Sequence, residues 1–363
     1  MNNRFIAGLD LGEIFYTEAV GPILQSHFPA LIYSAALIGP GSEVLGFDTA
    51  QSMDHDWGPK LQIFLTAADL EGYRDALDQA LRKDLPARIR GYPTNFARHN
   101  DGTALMQGQD GKAIDHGVQF VSMADYFESL LGFNPDAPIE IVDWLSTSQQ
   151  NLLMATAGRV FHDGLSQLEP VRRRLTYYPH DLWLYLLAAQ WRRIAQEEAF
   201  MGRCGQVGDD LGSQIVAARL VRDLMRLGFL MERTYAPYIK WFGSAFARLR
   251  CADGLTPHLN GVLAANGWQN RQEHLSGAYQ LVAKMHNALG ITAPLASDVT
   301  PFHARPFLVL HADRFVDAIR AEIGDQEVLA LPEHLGSADQ FIDSTDAIAH
   351  SARIRAFLAW HAR

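Results

Sequence analysis

Residues 39–65 read GPGSEVLGFDTAQSMDHDWGPKLQIFL, and this stretch decides how the rest of the chain is understood. It follows Ala30–Ile38 (ALIYSAALI), a short apolar run closed by Gly39-Pro40-Gly41-Ser42. A run of that length ended by Gly and Pro predicts a buried strand. A second strand is expected over Asp54–Leu65, opening with Asp54-His55-Asp56. Alternate residues of a strand face the same side, roughly 6.6 Å apart. The carboxylates of Asp54 and Asp56 are therefore expected to converge on divalent cations. Mg²⁺, or Mn²⁺ in its place, takes carboxylate oxygens, retained waters and substrate phosphates. Two such ions about 3.5–4 Å apart would activate an attacking oxygen and stabilise a leaving pyrophosphate. Gly41 and Ser42 offer backbone N–H groups and a hydroxyl where a helix is expected to start, which suits an anion. His55 is expected on the opposite face, packed rather than ligating.

Outward from this stretch the first third mixes strand and helix. Leu9–Ser26 has helical apolar spacing. Thr66-Ala67-Ala68-Asp69 opens a helix running to about Lys83, and Pro86 stops it. Ala87–Tyr92 and Val118–Val121 are further strand candidates, separated by a polar loop over 100–111. From Ser146 onward long amphipathic patterns begin at Ser146, Asp181, Leu211 and Tyr238, with a late strand at Phe307–Leu310 and helices over 312–323 and 344–358. The expected fold class is α+β. An N-terminal mixed sheet with flanking helices would occupy 1–145, and an all-α helical bundle 146–363.

Composition narrows the partners. The 363 residues are 48% hydrophobic and 20% charged, as in ordinary globular chains, which excludes disordered and fibrous classes. Asp and Glu exceed Lys and Arg by 41 − 31 = 10. A net-acidic surface argues against nucleic acid as partner, because gripping phosphate backbones needs a basic face. Two cysteines, Cys204 and Cys251, give no disulfide framework and read as reduced thiols. No leader is evident near Met1–Gly8, and no apolar run approaches the roughly 18 residues of a membrane span. The expected location is the cytoplasm, with no membrane partner.

Gly41-Ser42 followed twelve residues later by Asp54-x-Asp56 resembles the nucleotidyltransferase superfamily of the DNA polymerase β type. The phrases FYTEAVGPIL, YSAALIGPGSEVLGFDT, FHDG, GDDLGS, YAPYIKWFG and GSADQFIDSTD, spread over residues 15–346, resemble the DUF4037 family of nucleotidyltransferase-like proteins. The resemblance implies a nucleotidyltransferase-like head, a nucleoside triphosphate substrate (ATP first), Mg²⁺ at Asp54 and Asp56, and a hydroxyl acceptor. It also implies that Lys240, in Tyr235-Ala236-Pro237-Tyr238-Ile239-Lys240-Trp241, holds the triphosphate, against the plain alternative of a surface lysine beside packed aromatics. Three departures stand out. Ser52-Met53-Asp54 is one residue longer than the usual spelling, Leu45 replaces a frequent Arg, and the third acid on a later strand is missing. Val118–Val121 carries Gln119 in its place; Asp115, Glu140 or no residue at all would then fill that role.

Other acids read as structural first. Glu197 and Glu198 are expected to be solvated, with a general base for the acceptor as the minor alternative. Asp209 and Asp210 read as helix caps, and Arg219 and Arg222 as ion-pair partners. Two functions follow. The first is a Mg²⁺-dependent nucleotidyltransferase moving NMP from an NTP to a hydroxyl, on a small molecule or, alternatively, on a protein as an AMP-transferring regulator or antitoxin. The second is a nucleotide-sensing scaffold without turnover, motivated by Gln119 and the shifted acids.

Overall fold

The computed structural model describes residues 5–100, 102–108, 113–333 and 335–361, so the loop expected over 100–111 falls partly outside it. The class is α+β, and the chain divides into two compact units, 1–139 with 151–176 and 140–150 with 177–363.

The first unit is built on four strands: β1 (Ser34–Leu37), β2 (Lys60–Leu65), β3 (Gly117–Ser122) and β4 (Arg159–Asp163), in the order β3-β2-β1-β4. β2 runs parallel to β3 and antiparallel to β1, and β1 runs antiparallel to β4. Every residue of β1 is buried, as a central strand made of ALIYSAALI requires. Helix α1 (Gly8–Phe15), a π turn over Tyr16–Val20 and α2 (Gly21–His27) follow one another where a single helix is expected. They place Leu11, Phe15, Val20 and Leu24 in a core shared with Ile63, Leu77, Leu81 and Phe120. Helix α3 (Ala67–Asp84) starts at Thr66, whose hydroxyl accepts the Asp69 N–H at 3.1 Å, and ends two residues before Pro86.

Two differences from the sequence reading matter here. The pattern beginning at Ser146 is read as one helix, but the helix closes at Thr156 and the chain re-enters the sheet as β4. Gly158 makes that turn possible. Its φ is +78°, and a Cβ there would collide with the Leu37 carbonyl on β1. The second strand is expected from Asp54 but begins only at Lys60. Pro59 has no N–H for a ladder, and Gly58 sits at φ +146°, so pairing cannot extend further back.

The second unit is a set of helices, chiefly α4 (His180–Glu197), α5 (Asp210–Met231), α6 (Ile239–Phe246), α7 (Ala252–Ala264) and α8 (Trp268–Ala288). Leu182 to Trp191 are all buried, which makes α4 the central rod of this unit. Asp209 caps α5 by accepting the Gly212 N–H at 2.8 Å. Pro257 lies inside α7. Among the described residues no helix is long and apolar enough to cross a membrane.

Candidate functional site

The turn after β1 is held from both sides. Gln62 on β2 accepts the Ile38 N–H through Oε1 and donates Nε2 to the Ile38 carbonyl, both at 3.1 Å. The Tyr126 hydroxyl donates to the same carbonyl at 3.0 Å. Gly39 then turns at φ +90°, where any Cβ would strike that hydroxyl. Phe47 N–H closes on the Ser42 carbonyl at 2.8 Å and Gly46 N–H on the Glu43 carbonyl at 3.2 Å. Among the described residues, the N–H groups of Gly41, Ser42, Glu43 and Val44 meet no protein acceptor, nor does the Ser42 hydroxyl meet a partner. Glu43 and Val44 are buried residues, and the amides of this bend are open to an acceptor from outside the protein.

Glu43 is the acid at this turn that sequence reasoning missed. It is buried and pairs with Lys60 Nζ at 2.7 Å. Its signal was its position beside Gly41: without a Cβ, Gly41 leaves room for the Glu43 carboxylate to fold back over it.

The two motif aspartates are placed differently from the expectation. Asp54 ends a short 3₁₀ helix (Ala50–Asp54) that Thr49 and Ser52 cap reciprocally. Its Oδ1 pairs with His55 Nδ1 at 2.9 Å in full exposure, so His55 is a surface partner of Asp54 rather than a packed residue. Asp56 sits at φ +50°, outside the strand. Its N–H donates to the Ala104 carbonyl at 2.7 Å, and its Oδ1 accepts the Ala104 N–H at 2.9 Å. This clips the segment to the hairpin of Phe96–Arg98 and Ala104–Met106. Asp48 anchors the return loop by accepting the Gly8 N–H at 2.7 Å and the Trp57 Nε1–H at 3.0 Å. The shared strand face argued for Asp54 and Asp56 therefore does not exist. What remains is one carboxylate oxygen on each without a protein partner among the described residues.

The strand positions next to the turn carry no carboxylate. Lys60 and Gln62 occupy β2, and Gln119 lies directly across from Gln62 in the β2–β3 register. Of the third-acid candidates, Asp115 is engaged by Arg82 at 3.2 Å and Arg98 at 3.7 Å. Glu140 belongs to the second unit, where Arg355 meets it at 3.1 Å. Lys240 is also in the second unit, exposed on α6, with its ammonium 5.1 Å from the centre of the Trp241 ring.

A cleft of about 610 Å³ opens in the first unit, lined among others by Asp56, Lys60, Arg74, Asp78, Arg98 and Gln119. Lys60 ties this cleft to the Gly-Ser bend through Glu43. Arg74 has no hydrogen bond or ion pair among the described residues. Asp78 is occupied by Arg82 at 2.6 Å and His116 at 3.3 Å, and burial lowers the His116 pKa. No group of three His, Cys, Asp or Glu side chains among the described residues is arranged to hold a metal. Mg²⁺ is usually held by one or two carboxylates with waters and phosphate oxygens, and Asp54 and Asp56 each keep one oxygen that no protein group engages among the described residues.

Residues 144–242 match the model of DUF4037, a domain of unknown function. The matched residues take in β4, α4, α5 and Lys240, and the match leaves the Gly39–Asp56 bend outside. Among solved structures, the chain is similar to a nucleotidyltransferase-like protein from Exiguobacterium sibiricum 255-15. The two share 11% identity over 75% of this chain and 76% of that one, with a TM-score of 0.30. No curated protein matches the chain.

Proposed function

We propose that the first unit takes up a nucleoside triphosphate, ATP first, and that the protein transfers its nucleotidyl group to a hydroxyl acceptor, a small molecule before a protein. The reading is carried by one observation: a single cleft gathers Lys60, Arg74 and Arg98 with Asp56, beside a bend with four unmet amides. Guanidinium and ammonium groups match phosphate oxygens, and Arg74 is free to do so. The amides of Gly41 to Val44 are donors of the kind that suit a phosphate oxygen. Asp54 and Asp56 are the residues that would hold Mg²⁺, or Mn²⁺, which would polarise the phosphate under attack. The Glu43–Lys60 pair positions the bend relative to the cleft.

A second reading, nucleotide sensing without transfer, is favoured by the absence of a carboxylate at Lys60, Gln62 and Gln119 and by the engagement of Asp115 with two arginines. Calorimetry with ATP and Mg²⁺, run beside pyrophosphate release with a panel of hydroxyl acceptors, tests both. Transfer predicts release that Asp54→Ala and Asp56→Ala abolish. ATP binding without release under every acceptor selects the sensor. No nucleotide binding, in the wild type as in Arg74→Ala, removes both readings.

A further inference from the structure

The second unit holds a pocket that nothing above uses. Its cavity is about 290 Å³, small enough for a metabolite-sized guest. α5 contributes Arg222 and Arg226, α6 contributes Phe242, and the chain after Ala338 contributes Asp339, Asp343 and Ile348. The charged groups divide unequally. Arg222 is taken by Asp343 at 2.6 Å. Asp339, buried, accepts the Gln149 N–H at 2.8 Å. Arg226 has no hydrogen bond and no ion pair among the described residues; its guanidinium carbon lies 5.9 Å from the centre of the Phe242 ring. Burial lowers its pKa, with Asp339 opposing that shift. A planar guanidinium facing a cavity with its donors unmet calls for a planar acceptor, and a carboxylate meets two of those donors at once. Asp339 and Asp343 disfavour a dianion, which both would repel, more than a monoanion. The remaining wall is apolar, with Phe242 and Ile348 placed to cover a hydrocarbon body.

We propose that this pocket binds a small monocarboxylate with an apolar body, its carboxylate on Arg226 and its body against Phe242 and Ile348. The site stands independently of the nucleotide reading, because it lies wholly within the second unit and involves neither phosphate nor metal.

The test uses the full chain and three probes of one shape: phenylacetate, its neutral analogue phenylacetamide, and the dianion phenyl phosphate, each followed by NMR titration. Phenylacetate is expected to bind at millimolar concentration, and each analogue about tenfold or more weaker. Arg226→Met is expected to abolish the preference for phenylacetate over phenylacetamide. Should Arg226→Met fail to fold, Thr345→Trp serves instead, filling the pocket from an exposed lining position while leaving the guanidinium in place, and it should abolish binding. Equal affinity for all three probes, no binding of phenylacetate, or full binding by Thr345→Trp would each overturn the assignment.

Discussion

Removing Lys60 alone from the Glu43–Lys60 pair should cost far more than removing both partners. The two charges lie 2.7 Å apart, with 3% of the Glu43 side chain and 22% of the Lys60 side chain exposed. At an effective dielectric of about 20 the attraction at that distance is about 6 kcal/mol, set against desolvation of several kcal/mol per ion. The intact pair therefore contributes little net stability, whereas a solitary buried carboxylate is expensive. Lys60→Met strands Glu43 and is expected to cost about 3–5 kcal/mol. Glu43→Gln is milder, about 1–2 kcal/mol, since Lys60 keeps its bond to the Asp56 carbonyl and can turn toward the cleft. The double variant Glu43→Gln/Lys60→Met should lie within about 1 kcal/mol of Glu43→Gln alone, giving a coupling of at least about 2 kcal/mol. Urea unfolding of the four proteins at one pH, with matched m-values, measures this. Additive losses, or a Lys60→Met cost below about 1 kcal/mol, would show that Glu43 is solvated and that the bend is not braced as described.

Three further outcomes are expected. Glu198 accepts the N–H groups of Leu310, His311 and Ala312, yet burial raises its pKa from 4.5 to about 7. A carboxylate raised on folding holds its proton longer in the native state, so this group's share of stability is full below about pH 4.5 and declines as pH rises through about 7. The decline, on the order of 3 kcal/mol, should be absent from pH-dependent unfolding of Glu198→Gln. Burial, with Glu232 beside it, pushes the Cys251 thiol up to about 12, so at pH 8 its alkylation by iodoacetamide should be slow, and Glu232→Gln should speed it, as mass spectrometry of the labelled peptide would show. Gly39→Ala should destabilise by about 2 kcal/mol or more, since it forces a side chain to φ +90° and into the Tyr126 hydroxyl; Tyr126→Phe in the same chain should recover part of the loss in thermal melts.

The apolar run ending at Ile38, the Gly-rich bend after it and the Thr66 cap were legible because each is a local signal: composition, a breaker, a capping hydroxyl. Asp54 and Asp56 were misplaced because alternation alone extends a strand through 54–59, and only the backbone of Gly58 and Pro59 denies the ladder there. β4 was hidden for the opposite reason. Its residues continue a helical apolar pattern, and the change of direction rests on one left-handed glycine packed against Leu37. Glu198 reads as an ordinary solvated acid, and nothing in the local pattern singles out Glu43. Their burial depends on Lys60, 17 residues away, and on amides more than a hundred residues away, which no window of sequence exposes.

The late arrival of β4 has a consequence for synthesis. β1 pairs on one side with β2, which follows it closely, and on the other with a strand made only after residues 140–150 have left for the second unit. A nascent chain that has reached residue 139 thus carries every other strand of this sheet while Ser34 to Leu37 still present a bare hydrogen-bonding edge, open to a neighbouring polypeptide. Truncation at that residue would leave a sticky fragment, whereas a chain continued through residue 176 covers the β1 edge with β4.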